Sequence, residues 1–167
     1  MFNSILSVAD KPLQFALRLA YLTGQRPADV LKMSFSDIKD GFLHVKQNKV
    51  DTKLRIVIEG ELAALVSEIR SYHANIKSSI ASLKILIDEK GKPLVPHTLR
   101  WRFDKARDAA GIQKEKFQFK DLRAKAATDT DKCSGIIRAQ ELLGHSTQNM
   151  TAHYVRDRVG KKVKPVK

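Results

Sequence analysis

The spacing of hydrophobic positions changes several times along the chain, and each change marks an element. Leu13, Ala16, Leu17, Ala20 and Tyr21 recur at helical spacing. Thr23-Gly24 closes that helix, with glycine where a left-handed cap is favoured. Pro27 suits the first turn of a new helix, PADVLKM (27–33). FLHVK (42–46) and LRIVI (54–58) read as strands, and the polar QNKVDTK between them predicts a hairpin. ELAALVSEIRSYHANI (61–76) returns to helix, with Leu62, Leu65, Val66, Ile69, His73 and Ile76 on one face. ILIDEKGKPLV (85–95) predicts a strand, a turn around Lys90-Gly91 and an extended piece. HTLRWRFDKARDAAG (97–111) is a helix ending at Gly111. Three short helices with tight joints follow, in KDLRAKAATDT (120–130), GIIRAQELLG (135–144) and STQNMTAHYV (146–155), and then a basic tail over 156–167. No internal repeat and no low-complexity linker interrupts this order. The expectation is one α+β domain over 1–167, mostly helical, with a small antiparallel sheet in its first third.

Charge narrows the class of partner. Lys and Arg number 31 against 18 Asp and Glu, a formal charge of +13. Such an excess suits a polyanion, nucleic acid first, although ribosomal and membrane-surface proteins can be as basic. Hydrophobic residues make up 43% of 167, enough for a folded domain with its own core. Cys133 is the sole cysteine and cannot form an internal disulfide. His44, His73, His97, His145 and His153 are scattered without zinc-ligand spacing, so neither metal nor cofactor is expected. No apolar run approaches the roughly 20 residues that span a bilayer. MFNSILSVADKP lacks the basic region and apolar stretch of a signal peptide. A soluble protein of a reducing compartment, with no membrane partner, is the expectation.

Basic or nucleophilic residues fall beside structure that would fix them in four places. TGQRPAD sets Arg26 in a tight joint between two helices, where its planar fork can be aimed at a phosphate. The hairpin turn carries Lys49 and Lys53. KDLR puts Lys120 and Arg123 on neighbouring positions of one helix face. LLGHSTQNMTAHYVR (142–156) ends one helix at Gly144 and opens another, with Ser146 as the expected cap accepting from a backbone N–H near Asn149. Thr147, Met150, Thr151 and Tyr154 then share a face, which fixes Tyr154 relative to His145. Each feature has a plain structural alternative: an ion pair, a solvated lysine, a wet helix face, a tyrosine at the rim of the core. Their order and context carry the argument.

Together these motifs resemble the catalytic domain of the tyrosine recombinases, the phage integrase family. That family has an arginine after a TGxR joint and an acidic residue one turn on, matched by Arg26 and Asp29. It has a lysine on a β-hairpin, matched best by Lys49 and second by Lys53. It has an HxxR box opening a helix, matched by KDLR, and LGH followed nine residues later by a tyrosine, matched by His145 and Tyr154. The match runs over about residues 13–155 with the elements in the family's order. One departure stands out: Lys120 occupies the place where the box usually has histidine. Lysine also occurs there in the family. It acts either as a fixed charge or, with a lowered pKa, as a proton acceptor.

The resemblance implies a site-specific DNA recombinase. It cleaves and rejoins strands through a 3′-phosphotyrosine, without metal or cofactor. Tyr154 would be the nucleophile, and Arg26 and Arg123 the positive clamp on the phosphate, with His145 as a third donor. Lys49 would protonate the leaving 5′ oxygen. Asp29 would orient part of the clamp without touching the phosphate. The implied partners are double-stranded DNA carrying attachment sites, three further copies of the protein in a tetramer on that DNA, and accessory DNA-bending proteins. The implied location is the cytoplasm of a bacterial host. Because the match begins near the first residue, the expected piece is the catalytic domain of a longer integrase, without the core-binding and arm-binding domains. Two alternatives stay open: a type IB topoisomerase-like enzyme, and a non-catalytic basic DNA-binding module in which Tyr154 is structural.

Overall fold

The structure is a computed structural model and describes residues 1–47, 52–76 and 82–155. Lys49 and the basic tail over 156–167 lie outside the described residues.

A helix absent from the sequence expectation comes first: α1, Phe2–Val8. Next, α2 spans Lys11–Thr23, capped by Asp10, whose carboxylate accepts from the Leu13 N–H at 2.9 Å. Leu13, Phe15, Ala16, Leu17, Leu19 and Ala20 are all buried, more than one amphipathic stripe would hide. This makes α2 the central helix, packed against the elements around it. Gly24 ends it at φ +64°, and a Cβ there would meet Leu142 at 3.1 Å. The helix expected over PADVLKM is a single turn, α3, Pro27–Val30, followed by a 3₁₀ turn over Phe35–Asp37.

The sheet has three antiparallel strands in the order β1 (Ile38–Lys39), β2 (Phe42–Lys46), β3 (Lys53–Val57). Asp40 and Gly41, both at positive φ, join β1 to β2, which is the backbone a two-residue turn of matching twist requires. Leu43 pairs with Ile56 and Val45 with Leu54, and these four turn inward. α4, Gly60–Asn75, buries Leu62, Leu65, Val66 and Ile69, the face read from the sequence.

Of the strand, turn and extended piece expected over 85–95, the turn around Lys90-Gly91 forms but the strand does not. Two isolated bridges, Ser34 to Lys84 and Ile87 to Pro93, flank a turn held by the Asp88 carboxylate. Its apolar run is explained by burial of Ile85, Leu86, Ile87 and Leu94 rather than by sheet pairing. α5, Pro96–Ala109, is as expected. The last three helices are α6 (Asp121–Ser134), α7 (Ile136–Leu143) and α8 (Gln148–Ala152). α6 is not short: it runs for 14 residues to a glycine stop at Gly135. α6 packs on α2 and on α7, bringing the C-terminal joints against the α2–α3 joint.

Candidate active site

Two backbone joints converge on one guanidinium. Arg123 enters from the first turn of α6 and is only 3% exposed. Its Nη1 donates to Gly24 O at 2.6 Å, at the α2–α3 joint. Its Nη2 donates to Leu143 O at 2.8 Å, at the α7–α8 joint, and to His145 Nε2 at 3.1 Å. Its Nε is buried with no hydrogen-bond partner. Arg26 stands at the cap of α3, and its Nη1 is likewise buried without a partner. Unpartnered buried donors on two neighbouring cations describe a place built for an anion.

Burial and then the neighbouring Arg26 charge lower the Arg123 pKa to about 10; Tyr154 and Asp29 act in the opposite sense. Arg123 is thus still a cation at neutral pH. An added negative charge between Arg123 and Arg26 would relieve their repulsion.

Gly144 makes the tight joint before His145, at φ +65°. His145 is 7% exposed. A guanidinium can only donate, so His145 Nε2 accepts from Arg123, and the ring proton sits on Nδ1, where it donates to Thr151 Oγ1 at 3.0 Å. Burial, then Arg123 and Arg26, depress the His145 pKa to about 4. In this structure the histidine is neutral, with its Nε2 lone pair turned to Arg123.

Tyr154 departs from the sequence expectation in its element. α8 stops at Ala152, and Tyr154 lies in the turn beyond it, its N–H bonded to Thr151 O at 2.8 Å. Ser146 is not the cap of α8. Thr147 is, accepting from the Met150 N–H at 3.4 Å, while the Ser146 hydroxyl turns to the Met150 sulfur. The helix begins one residue later than read because Gly144, His145 and Ser146 are all needed to turn the chain. The Tyr154 ring sits 5.2 Å from the His145 ring, and Arg123 Cζ is 5.6 Å from its centroid.

A cleft of about 350 Å³ is lined by Arg26, Pro27, Lys120, Asp121, Arg123, Ala124 and Tyr154. It gathers four of the expected residues, and His145 lies behind it against Arg123. Lys120, exposed at the N-cap of α6, borders the cleft where the family's histidine would stand. Asp29 is buried; it borders a separate depression of about 630 Å³ with His44, Lys46, Lys53 and Arg55. Lys53 therefore faces that depression rather than the cleft. Among the described residues no group of three or more His, Cys, Asp and Glu could hold a metal ion.

Three residues of the site went unread in the sequence: Gln25, Gln47 and Thr151. Gln25 and Gln47 are buried at 1% and 0%, and Gln47 Nε2 donates to Gln25 Oε1 at 2.7 Å. The signal for Gln47 was present. Leu43, Val45 and Gln47 fall on the inward positions of a period-two pattern, so a polar residue there is inside.

Comparison with known proteins follows the same lines. The family model described as "Phage integrase family" matches residues 2–160. The integrase of Escherichia phage HK022 is 34% identical over 151 residues, which cover 89% of this chain and 42% of that protein. The chain thus spans less than half the length of the curated relatives it matches. Among solved structures, the lambda integrase catalytic core is similar with a TM-score of 0.76 and 28% identity, over 86% of this chain and 91% of that one. A lambda integrase tetramer bound to a Holliday junction is similar with a TM-score of 0.81 and 27% identity, over 99% of this chain and 49% of that one. With its motifs in order and its sequence matched almost end to end, the chain belongs to the phage integrase family.

Proposed function

We propose that this chain carries the strand-cleaving site of a site-specific DNA recombinase, with Tyr154 as nucleophile. One observation carries the reading: two neighbouring arginines, each with a buried unpartnered N–H, border the same cleft as a tyrosine.

The chemistry follows from that arrangement. Tyr154 Oη bonds to a backbone phosphorus, its proton passing to a non-bridging phosphate oxygen, while the bond from phosphorus to the 5′ oxygen breaks. Negative charge gathers on the non-bridging oxygens, and Arg26 and Arg123 oppose it with donors already desolvated. Loss of one such donor costs roughly 3–4 kcal/mol of transition-state stabilisation. Lys49 supplies the proton that the 5′ oxygen takes as it leaves. Lys120 brings a further ammonium group to the cleft wall. His145 is the third donor to the phosphate, a role that needs a proton on Nε2; in the free site that nitrogen instead accepts from Arg123. Asp29 acts on the clamp through its charge at Arg123. The 3′-phosphotyrosine keeps the bond energy, and a 5′ hydroxyl of a second duplex reverses the step to complete the exchange.

Double-stranded DNA is the proposed substrate, supported by the +13 charge and by relatives whose structures hold core-site DNA or a Holliday junction. Four copies acting on DNA, with accessory bending proteins, in the cytoplasm of a bacterial host, complete the reading. Exchange is favoured over relaxation because the relatives that match the chain are integrases.

The test is a nicked duplex whose 5′ fragment diffuses away after cleavage, read on a denaturing gel. The chain should form a covalent protein–DNA adduct, and Tyr154→Phe should form none. DNA bound by both without adduct would instead favour a non-catalytic binding module.

A further inference from the structure

Behind the cleft lies a buried amide that takes no part in the bond changes. Gln25, 1% exposed, follows Gly24 at the α2–α3 joint and precedes Arg26. Its Nε2 donates to Thr23 O at 2.9 Å and to Leu142 O at 3.0 Å. Both partners are carbonyls, which only accept, so the orientation of the amide is fixed. Its Oε1 accepts from Gln47 Nε2 at 2.7 Å, and that nitrogen also donates to Leu143 O at 2.8 Å. Arg123 spans the same two joints one residue further along each, from Nη1 to Gly24 O and from Nη2 to Leu143 O. Two bridges therefore run in parallel between the joint that bears Arg26 and the joint that bears His145. One is a neutral amide; the other is Arg123 itself.

Two further observations argue that the amide bridge does more than fill space. The joints touch: a Cβ on Gly24 would meet Leu142 at 3.1 Å and Leu143 at 3.2 Å. The helices that follow them, α3 with four residues and α8 with five, are too short to hold themselves. Where Arg26 and His145 stand thus depends on ties across the joints. Arg123 is a poor tie to rely on alone, because the Arg26 charge pushes on it and a bound phosphate would pull on it. Gln25 carries no charge, and its bridge responds to neither.

We propose that Gln25 is a positioning residue, whose amide holds the two joints at the spacing that puts Arg26 and Arg123 on one phosphate. This rests on the strand-cleavage reading above. Gln25 touches neither Tyr154 Oη nor the phosphorus, and it acts only through where the two guanidinium groups stand.

The charge on the phosphate supplies a test that a merely structural role would not pass. A methylphosphonate has a methyl group in place of one non-bridging oxygen and carries no charge, so attack on it gathers less negative charge for the two arginines to oppose. Nicked duplexes of randomised sequence are made in two forms, with an ordinary phosphate or a methylphosphonate at the cleavage point. Adduct formation is followed at protein concentrations that saturate the DNA. Wild type should form adduct on both, and Tyr154→Phe on neither. Gln25→Met keeps the volume and removes both donors. It should fall about 100-fold on the ordinary phosphate, as expected for misplaced groups, and stay within a few-fold of wild type on the methylphosphonate. Arg123→Ala should show the same discrimination. Should Gln25→Met fail to fold, Gln25→Glu carries the comparison, because it keeps the shape and loses the amide donors. An unchanged rate on the ordinary phosphate, or an equal loss on both forms, overturns the proposal while leaving the strand-cleavage reading intact. No wild-type adduct on either form overturns both.

Discussion

At the residue scale, the histidine shows how environment sets chemistry. Its folded pKa of about 4 lies below the ordinary 6.5. Between those values the unfolded chain binds the proton and the folded chain does not, so stability falls as pH drops from 6.5 towards 4. A shift of that size amounts to at most roughly 3 kcal/mol. Urea unfolding should show this acid sensitivity in wild type and lose most of it in His145→Gln. Thr151, fully buried, is the partner of the Nδ1–H that Arg123 fixes from the other side of the ring. Thr151→Val is close to isosteric and leaves the Nδ1–H unpaired, which should destabilise by about 1–3 kcal/mol. Nitrogen chemical shifts should still show the Nδ1–H tautomer of His145, because Arg123 continues to donate to Nε2. Arg26, Arg123, His145 and Tyr154 were legible as a set because each sits in a short motif at a joint. Thr151 was not, because a threonine one turn before a tyrosine reads as helix surface until the joint folds back over it.

At the element scale, the joints matter more than the helices they connect. Gly144 is left-handed and packed against Leu54, Gln47 and Thr52 at 3.1–3.2 Å. Gly144→Ala pays twice, in backbone strain and in displaced neighbours. It should lower stability by about 1–3 kcal/mol, measured by thermal melting, and shift His145 away from Arg123. α8 has only five residues, too few to hold itself as a helix. Tyr154 therefore owes its place to the buried Thr151 and to the turn after it. This is why the sequence placed the tyrosine in a helix and the structure does not. Spacing reports periodicity, but a one-turn helix ends wherever tertiary contacts stop supporting it. The strand read at the start of 85–95 failed for a related reason, although the turn after it formed: the apolar run feeds the core from irregular backbone. The β1–β2 turn went unread, although Asp40-Gly41 is a strong hairpin signal.

At the scale of the whole molecule, net charge and the clamp make separable contributions. A protein of charge +13 should bind duplex DNA with a steep fall in affinity as salt rises. Arg26→Ala should reduce the slope of log affinity against log salt by about 1, as loss of one phosphate contact requires. Binding isotherms at several salt concentrations give that slope, and an unchanged slope would remove Arg26 from the phosphate. The central helix α2 and the α6–α7 pair give the frame; α2 was readable from its regular apolar spacing, whereas α6 and α7 were read only as short helices.

Leu143 O, which accepts from both Gln47 and Arg123, is a backbone atom. No substitution short of moving the main chain can delete it. Leu143 is free to become another apolar residue of similar size without altering the acceptor. The two side chains that reach it have no such latitude. Among descendants of this sequence, drift should therefore accumulate at the leucine and stall at the glutamine and the arginine, even though all three share one hydrogen-bonding centre.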